Sequence, residues 1–145
     1  MLKKTIPYID FDGNKRIEDY YFNLTESELI DWQNTTEGGM LAMLDRIVKA
    51  NDKHVIMKTF KDIILKSYGI KSDDGRRFMK SQEIAEAFSQ SAAFNVLYQE
   101  LLSDSKVAAE FVNAILPPDL AKKLADQEKE KEKEKENGKL LTPGI

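Results

Sequence analysis

Apolar and polar positions follow two different grammars along this chain. In "KKTIPYIDFDGNKRIEDYYFNL", Ile6, Tyr8, Ile17, Tyr21 and Phe22 flank the turn-forming pair Asp12-Gly13, which predicts a β-hairpin over residues 1–24. Pro7 suits an edge strand, since proline brings no amide donor to a ladder. Two strands alone are marginal in water, so the hairpin must pack on the rest of the chain or pair with another copy.

From Thr25 the spacing becomes helical. "TESE" is a capping box, with Thr25 placed to satisfy an orphan amide and Glu28 to reach back, opening a short helix that carries Leu29, Ile30 and Trp32. Gly38-Gly39 breaks it from a second helix with Met40, Leu41, Leu44, Ile47 and Val48 on one face. A third carries Ile56, Phe60, Ile63 and Ile64 and ends near Gly69. Ser81 then caps a helix with Ile84, Ala85 and Phe88. The apolar phase slips through "SQSAA" and resumes at Phe94, Leu97, Tyr98, Leu101 and Leu102, which predicts a break near Ser89 to Ser91. A last helix, with Val107, Ala108, Phe111, Val112 and Ile115, stops at Pro117-Pro118. The fold class is therefore mainly α with an N-terminal β-hairpin (α+β). A compact domain over residues 1–118 (hairpin 1–24, helices 25–116) is followed by a charged segment, 119–145.

That segment alternates Glu and Lys, so opposite charges lie three apart and like charges four apart, and the helical pairing gains largely cancel. A frayed helix or a disordered polyampholyte is expected. The net charge of −3 hides a segregation. Residues 1–45 hold nine acids against four bases, 46–80 ten bases against four acids, and 81–118 five acids against one base. Such blocks suit an acidic ligand, or contacts between acidic and basic parts of neighbouring subunits. The 145 residues include no cysteine, so disulfides and thiolate metal sites are excluded. The start, "MLKKTIPYID", lacks the apolar stretch of a secretory signal, and no window is apolar enough for a membrane span, so a soluble cytoplasmic protein is expected.

Candidate chemistry concentrates in "YGIKSDDGRRFMKSQEIAEAF", residues 68–88. Asp73 and Asp74 lack the alternating oxygen ligands of a calcium loop and stand beside Arg76 and Arg77, so no metal site is expected. The reading is a connector between two packed helices. Asp73, Asp74 and Gly75 make the turn, with Gly75 at positive φ, and Arg76, Arg77 and Phe78 start the next element. The single histidine, His54, has no serine nucleophile motif, second histidine or cysteine to work with, and Gly38-Gly39 lacks a phosphate-loop pattern. No catalytic residue, cofactor or metal is expected, and the chain is read as no enzyme. Met40, Met43 and Met57 are read as core. The basic block 46–80, with Lys58, Lys61 and Lys66 opposite the apolar face of its helix, keeps one alternative open: a small nucleic-acid-binding regulator.

"TTEGGMLAMLDRIV", "ILKSYGIKSDDGRRFMKSQEIAEAFSQSAAFNVLYQELLSD" and "AAEFVNAILP" together resemble the small tail assembly chaperones of long-tailed bacteriophages of Gram-positive hosts. The resemblance spans the hairpin to Pro117, and "YGIKSDDGRRF" is its most specific part. It implies a mainly helical, non-enzymatic protein that binds and solubilises the tape measure protein and helps recruit tail tube subunits. It further implies a homo-oligomer, a longer form made by frameshifting, residence in the host cytoplasm, and absence from the mature virion. With the charge segregation, it makes Asp73, Asp74, Arg76, Arg77 and Phe78 the candidate protein-binding or self-association residues.

Overall fold

The computed structural model describes residues 1–35 and 53–119. Strand β1 (Leu2–Ile9) pairs antiparallel with β2 (Lys15–Phe22), Ile9 opposite Lys15 and Leu2 opposite Phe22. The connection is a turn over residues 10–13. The Gly13 amide donates to the Asp10 carbonyl at 3.0 Å and the Asp10 amide to the Asn14 carbonyl at 2.9 Å. Gly13 takes φ +84°, the left-handed bulge position that closes three-residue hairpin loops. The Asp10 carboxylate fills the turn, accepting from the amides of Asp12 and Asn14 and from Arg16 Nε.

The alternation of β1 sorts its side chains. Leu2, Lys4, Ile6 and Tyr8 face inward, and Lys3, Thr5, Pro7 and Ile9 stay exposed. The sheet order is β1-β2-β3-β4, so Pro7 lies on an edge strand as expected. Strand β3 (Tyr68–Lys71) joins β2 through Tyr21 opposite Gly69 and Phe22 opposite Tyr68, and β4 (Phe78–Met79) closes the sheet.

The helices cover the inner face. Helix α1 (Glu26–Thr35) opens with the expected capping box: the Glu28 amide donates to Thr25 Oγ1 at 3.2 Å, and the Thr25 amide to Glu28 Oε1 at 3.1 Å. Helix α2 (Lys53–Ser67) runs straight into β3. Its buried Ser67 hydroxyl donates back to the Ile64 carbonyl, while the Ser67 carbonyl accepts from the Asn23 amide. Helices α3 (Gln82–Ser89), α4 (Ala92–Ser103) and α5 (Ser105–Ile115) follow, with Ser81, Ser91 and Asp104 accepting from amides of their first turns. The break between Ser89 and Ser91 is thus a fresh N-cap. Helix α4 packs on β1 and α5, α2 packs on α3 and α4, and α3 on β3.

The core gathers Phe22, Ile64, Leu97, Leu101, Phe111 and Ile115 around an aromatic centre. Phe22 meets Phe111 edge-on at 5.3 Å and Phe88 at 5.8 Å, and Tyr68 stacks on Phe88 at 4.0 Å.

Two expectations are corrected. Residues 72–77 join two strands, not two helices. The chain enters β3 at Tyr68 because Tyr68 and Gly69 find partners on β2, a pairing across more than forty positions. Met57 is 38% exposed on α2 and is not core. The expected second helix, with Met40 and Met43, lies outside the described residues, as do residues 120–145 of the charged segment.

Candidate functional site

Loop 72–77 is organised by a residue that the pattern of charges did not single out. Ser72 is buried. Its amide donates to the Arg77 carbonyl at 2.8 Å, its hydroxyl donates to Asp74 Oδ1 at 2.7 Å, and its oxygen accepts from the Arg77 amide at 3.0 Å. The Gly75 amide donates to the Ser72 carbonyl at 2.9 Å, with Gly75 at φ +73°. Asp74 accepts from the Arg76 amide at 3.0 Å. The Ser72 hydroxyl and then the Arg76 amide hold the Asp74 carboxyl below its ordinary value, because both bonds favour its charged form. Serine two positions before an Asp-Gly pair was the available signal, since these side chains bond locally to backbone.

The candidate residues divide by role. Asp74 is consumed in shaping the turn. Asp73 and Arg76 stand exposed in the turn and Arg77 exposed where the loop closes against Ser72, and among the described residues no ion pair joins them. Phe78 is half-buried at the base, its ring across Gly69, where an added Cβ would stand 2.8 Å from Phe78 Cε2. The structure therefore places Asp73, Arg76 and Arg77 on one exposed loop and puts Phe78 into the sheet.

Among the described residues, three cations of the basic block meet three different sets of partners. Lys66 Nζ lies 4.8 Å from the Trp32 ring centre, Lys71 Nζ 5.1 Å from that of Tyr21, and Lys80 Nζ donates to Glu28 Oε2 and the Asn23 carbonyl. Burial draws the Lys80 ammonium below its ordinary value, and Glu28 opposes that shift. Among the described residues no group of three His, Asp or Glu side chains gathers to hold a metal. No described helix is long and apolar enough to cross a membrane.

A second feature was not foreseen. Between the inner face of the sheet and α3 opens a cleft of about 390 Å³. Tyr20, Tyr68 and Phe88 form its aromatic floor, Ile70, Ile84 and Ala87 its apolar walls, and Glu83 is the one charged residue in its lining among the described residues. Beside it, Met79 pairs with Ile70 and extends the apolar rim, the two being 36% and 44% exposed. The Tyr20 hydroxyl donates to Tyr8 at 3.4 Å, and Tyr8 in turn donates to Glu18. Burial first, then the Glu18 charge, push Tyr20 up to about 12. The lining thus offers aromatic and aliphatic surface with a single carboxylate, Glu83, and a serine, Ser91.

A family model described as phage tail assembly chaperone matches residues 1–143. No curated protein matches the chain, and no solved structure does. With nearly the whole length matched, the chain belongs to the phage tail assembly chaperones.

Proposed function

We propose that this phage tail assembly chaperone binds the tape measure protein of a long-tailed phage of a Gram-positive host and keeps it soluble in the host cytoplasm. It helps recruit tail tube subunits and leaves before the virion is complete. The observation that carries the reading is the open apolar cleft between the sheet and α3, on a protein whose family assembles phage tails. A long helical partner with an apolar stripe needs such grooves, repeated on many copies of its escort.

Self-association supplies the copies. The exposed loop with Asp73, Arg76 and Arg77 belongs to a block with ten bases against four acids, while residues 81–118 hold five acids against one base, so the loop has acidic segments to meet on a neighbouring copy. Phe78 serves that surface from beneath, by fixing the hairpin that presents it. A longer, frameshifted form of the chain would add a second kind of copy to the assembly.

Co-expression with the tape measure protein of the same phage, followed by purification and light scattering, tests the reading. A soluble complex with several copies of the chain per tape measure is the expected result. A tape measure that stays insoluble while the chain runs alone would overturn it.

A further inference from the structure

The geometry points to the cleft between β3 and α3 as the seat of an amphipathic helix that inserts a bulky apolar side chain and sets a lysine or arginine beside it against Glu83. The inference rests on the tape measure reading above and gives that partner a site and a chemistry.

Three features of the cleft select this occupant. Its volume of about 390 Å³ falls within the range of ~300–1,000 Å³ typical of ligand sites, so more than one apolar side chain fits. Its floor is already fixed: Tyr68 is stacked on Phe88 at 4.0 Å, and Tyr20 lies 5.3 Å from the same ring. A preformed aromatic floor takes an anchor with little loss of side-chain entropy. The walls are open rather than sealed, since Ile70 and Ala87 are exposed, as is Met79 beside them. The apolar strip therefore continues beyond the cavity, as a groove for helix anchors at positions i, i+3, i+4 and i+7 requires.

Charge decides which helix. Helix α3 carries Glu83 and Glu86 and no basic residue, and the lining residues include Glu83 but no base. On the sheet side Glu18 is close enough to shift the Tyr20 hydroxyl, with Arg16 opposing it more weakly. A helix with acidic flanks would be repelled, whereas basic flanks are steered in. The exposed Phe11 on the hairpin turn of a second copy is the competing occupant, and cross-linking tells the two apart.

The test uses the full chain co-expressed with the tape measure protein, carrying the photoreactive side chain of Met79→p-benzoylphenylalanine beside the cleft but outside its lining, with cross-linked peptides read by mass spectrometry. The expected product joins position 79 to tape measure segments that show an apolar stripe with lysine or arginine next to it. Ala87→Trp fills the cleft, and Ile70→Lys places a charge on its wall. Each should lower the recovered complex about tenfold or more. Both positions are exposed, so helix content and melting should stay at wild-type values; if Ala87→Trp fails to fold, Ile70→Lys decides. Glu83→Lys should lower recovery less, with the loss shrinking at high salt. A wild-type chain that leaves the tape measure insoluble overturns the functional reading and this inference with it. A wild-type complex that survives both Ala87→Trp and Ile70→Lys, or cross-links only to a second copy or to acidic segments, overturns the cleft alone.

Discussion

Lys80 Nζ meets Glu28 Oε2 at 2.5 Å across 52 positions of sequence and so ties the end of the second hairpin to the first turn of α1. The same ammonium donates to the Asn23 carbonyl at 2.6 Å and lies 5.4 Å from the Phe78 ring centre. Lys80→Met keeps the stem and removes these bonds, leaving the Asn23 carbonyl without that donor. The expected cost is about 1–2 kcal/mol in urea unfolding, because hydrogen bonds to charged groups exceed the neutral average. A double-mutant cycle with Glu28→Gln should return a coupling of about 1 kcal/mol or less, since both side chains retain some contact with water.

Gly69 and Phe78 form a matched pair. A Cβ at position 69 would lie 2.8 Å and 2.9 Å from two ring carbons of Phe78 and 3.0 Å from the Met79 carbonyl oxygen. Gly69→Ala should therefore cost about 1–3 kcal/mol, the usual penalty of overpacking. Phe78→Ala removes the ring, and the double variant should be more stable than the sum of the single losses predicts. Thermal melts of the four proteins check this.

The contrast between Phe22 and Phe11 separates core from surface. Phe22 is 0% exposed and touches Tyr68, Phe88 and Phe111, so Phe22→Ala should cost about 3–5 kcal/mol. Phe11, at 83% exposed on the hairpin turn, should change stability by about 0.5 kcal/mol or less when replaced by alanine. Urea midpoints at constant slope read both.

Tyr20 supplies a pH signature of the cleft. Burial raises its hydroxyl from an ordinary 10.0 to about 12, with Glu18 adding to the shift. Neutral Tyr20 is favoured by folding, so its contribution to stability is fully present below pH 10 and is lost as the pH rises through about 12. Alkaline titration followed by the ultraviolet absorbance of tyrosinate should show a late-ionising tyrosine that Tyr20→Phe removes. Glu18→Gln should bring that step to lower pH.

Local signals in this chain were legible because their causes are local. Asp12-Gly13 turns the first hairpin, Thr25 and Glu28 cap α1, Ser81 caps α3, and the slip in apolar phase at residues 89–91 marks a new helix start. Each is settled by backbone geometry and hydrogen bonds within a few positions. The turn at Gly75 belongs with them. The family was legible too, though from nearly the whole chain, since its match runs over residues 1–143.

Tertiary structure decided the rest. Strands of four and two residues, β3 and β4, are too short to show a period, and they exist because Tyr68 and Gly69 find partners on β2. The apolar spacing of α2 did not reveal that Met57 faces outward, because a periodic face says nothing of where its edge meets a neighbour. The cleft draws Tyr20 from β2, Tyr68 and Ile70 from β3, and Ile84, Ala87 and Phe88 from α3. All of these but Tyr20 lie within residues 68–88, yet no local pattern shows that they face one another. The aromatic floor comes into being only when β2, β3 and α3 pack together, because Tyr20 and Tyr68 meet the Phe88 ring across that contact.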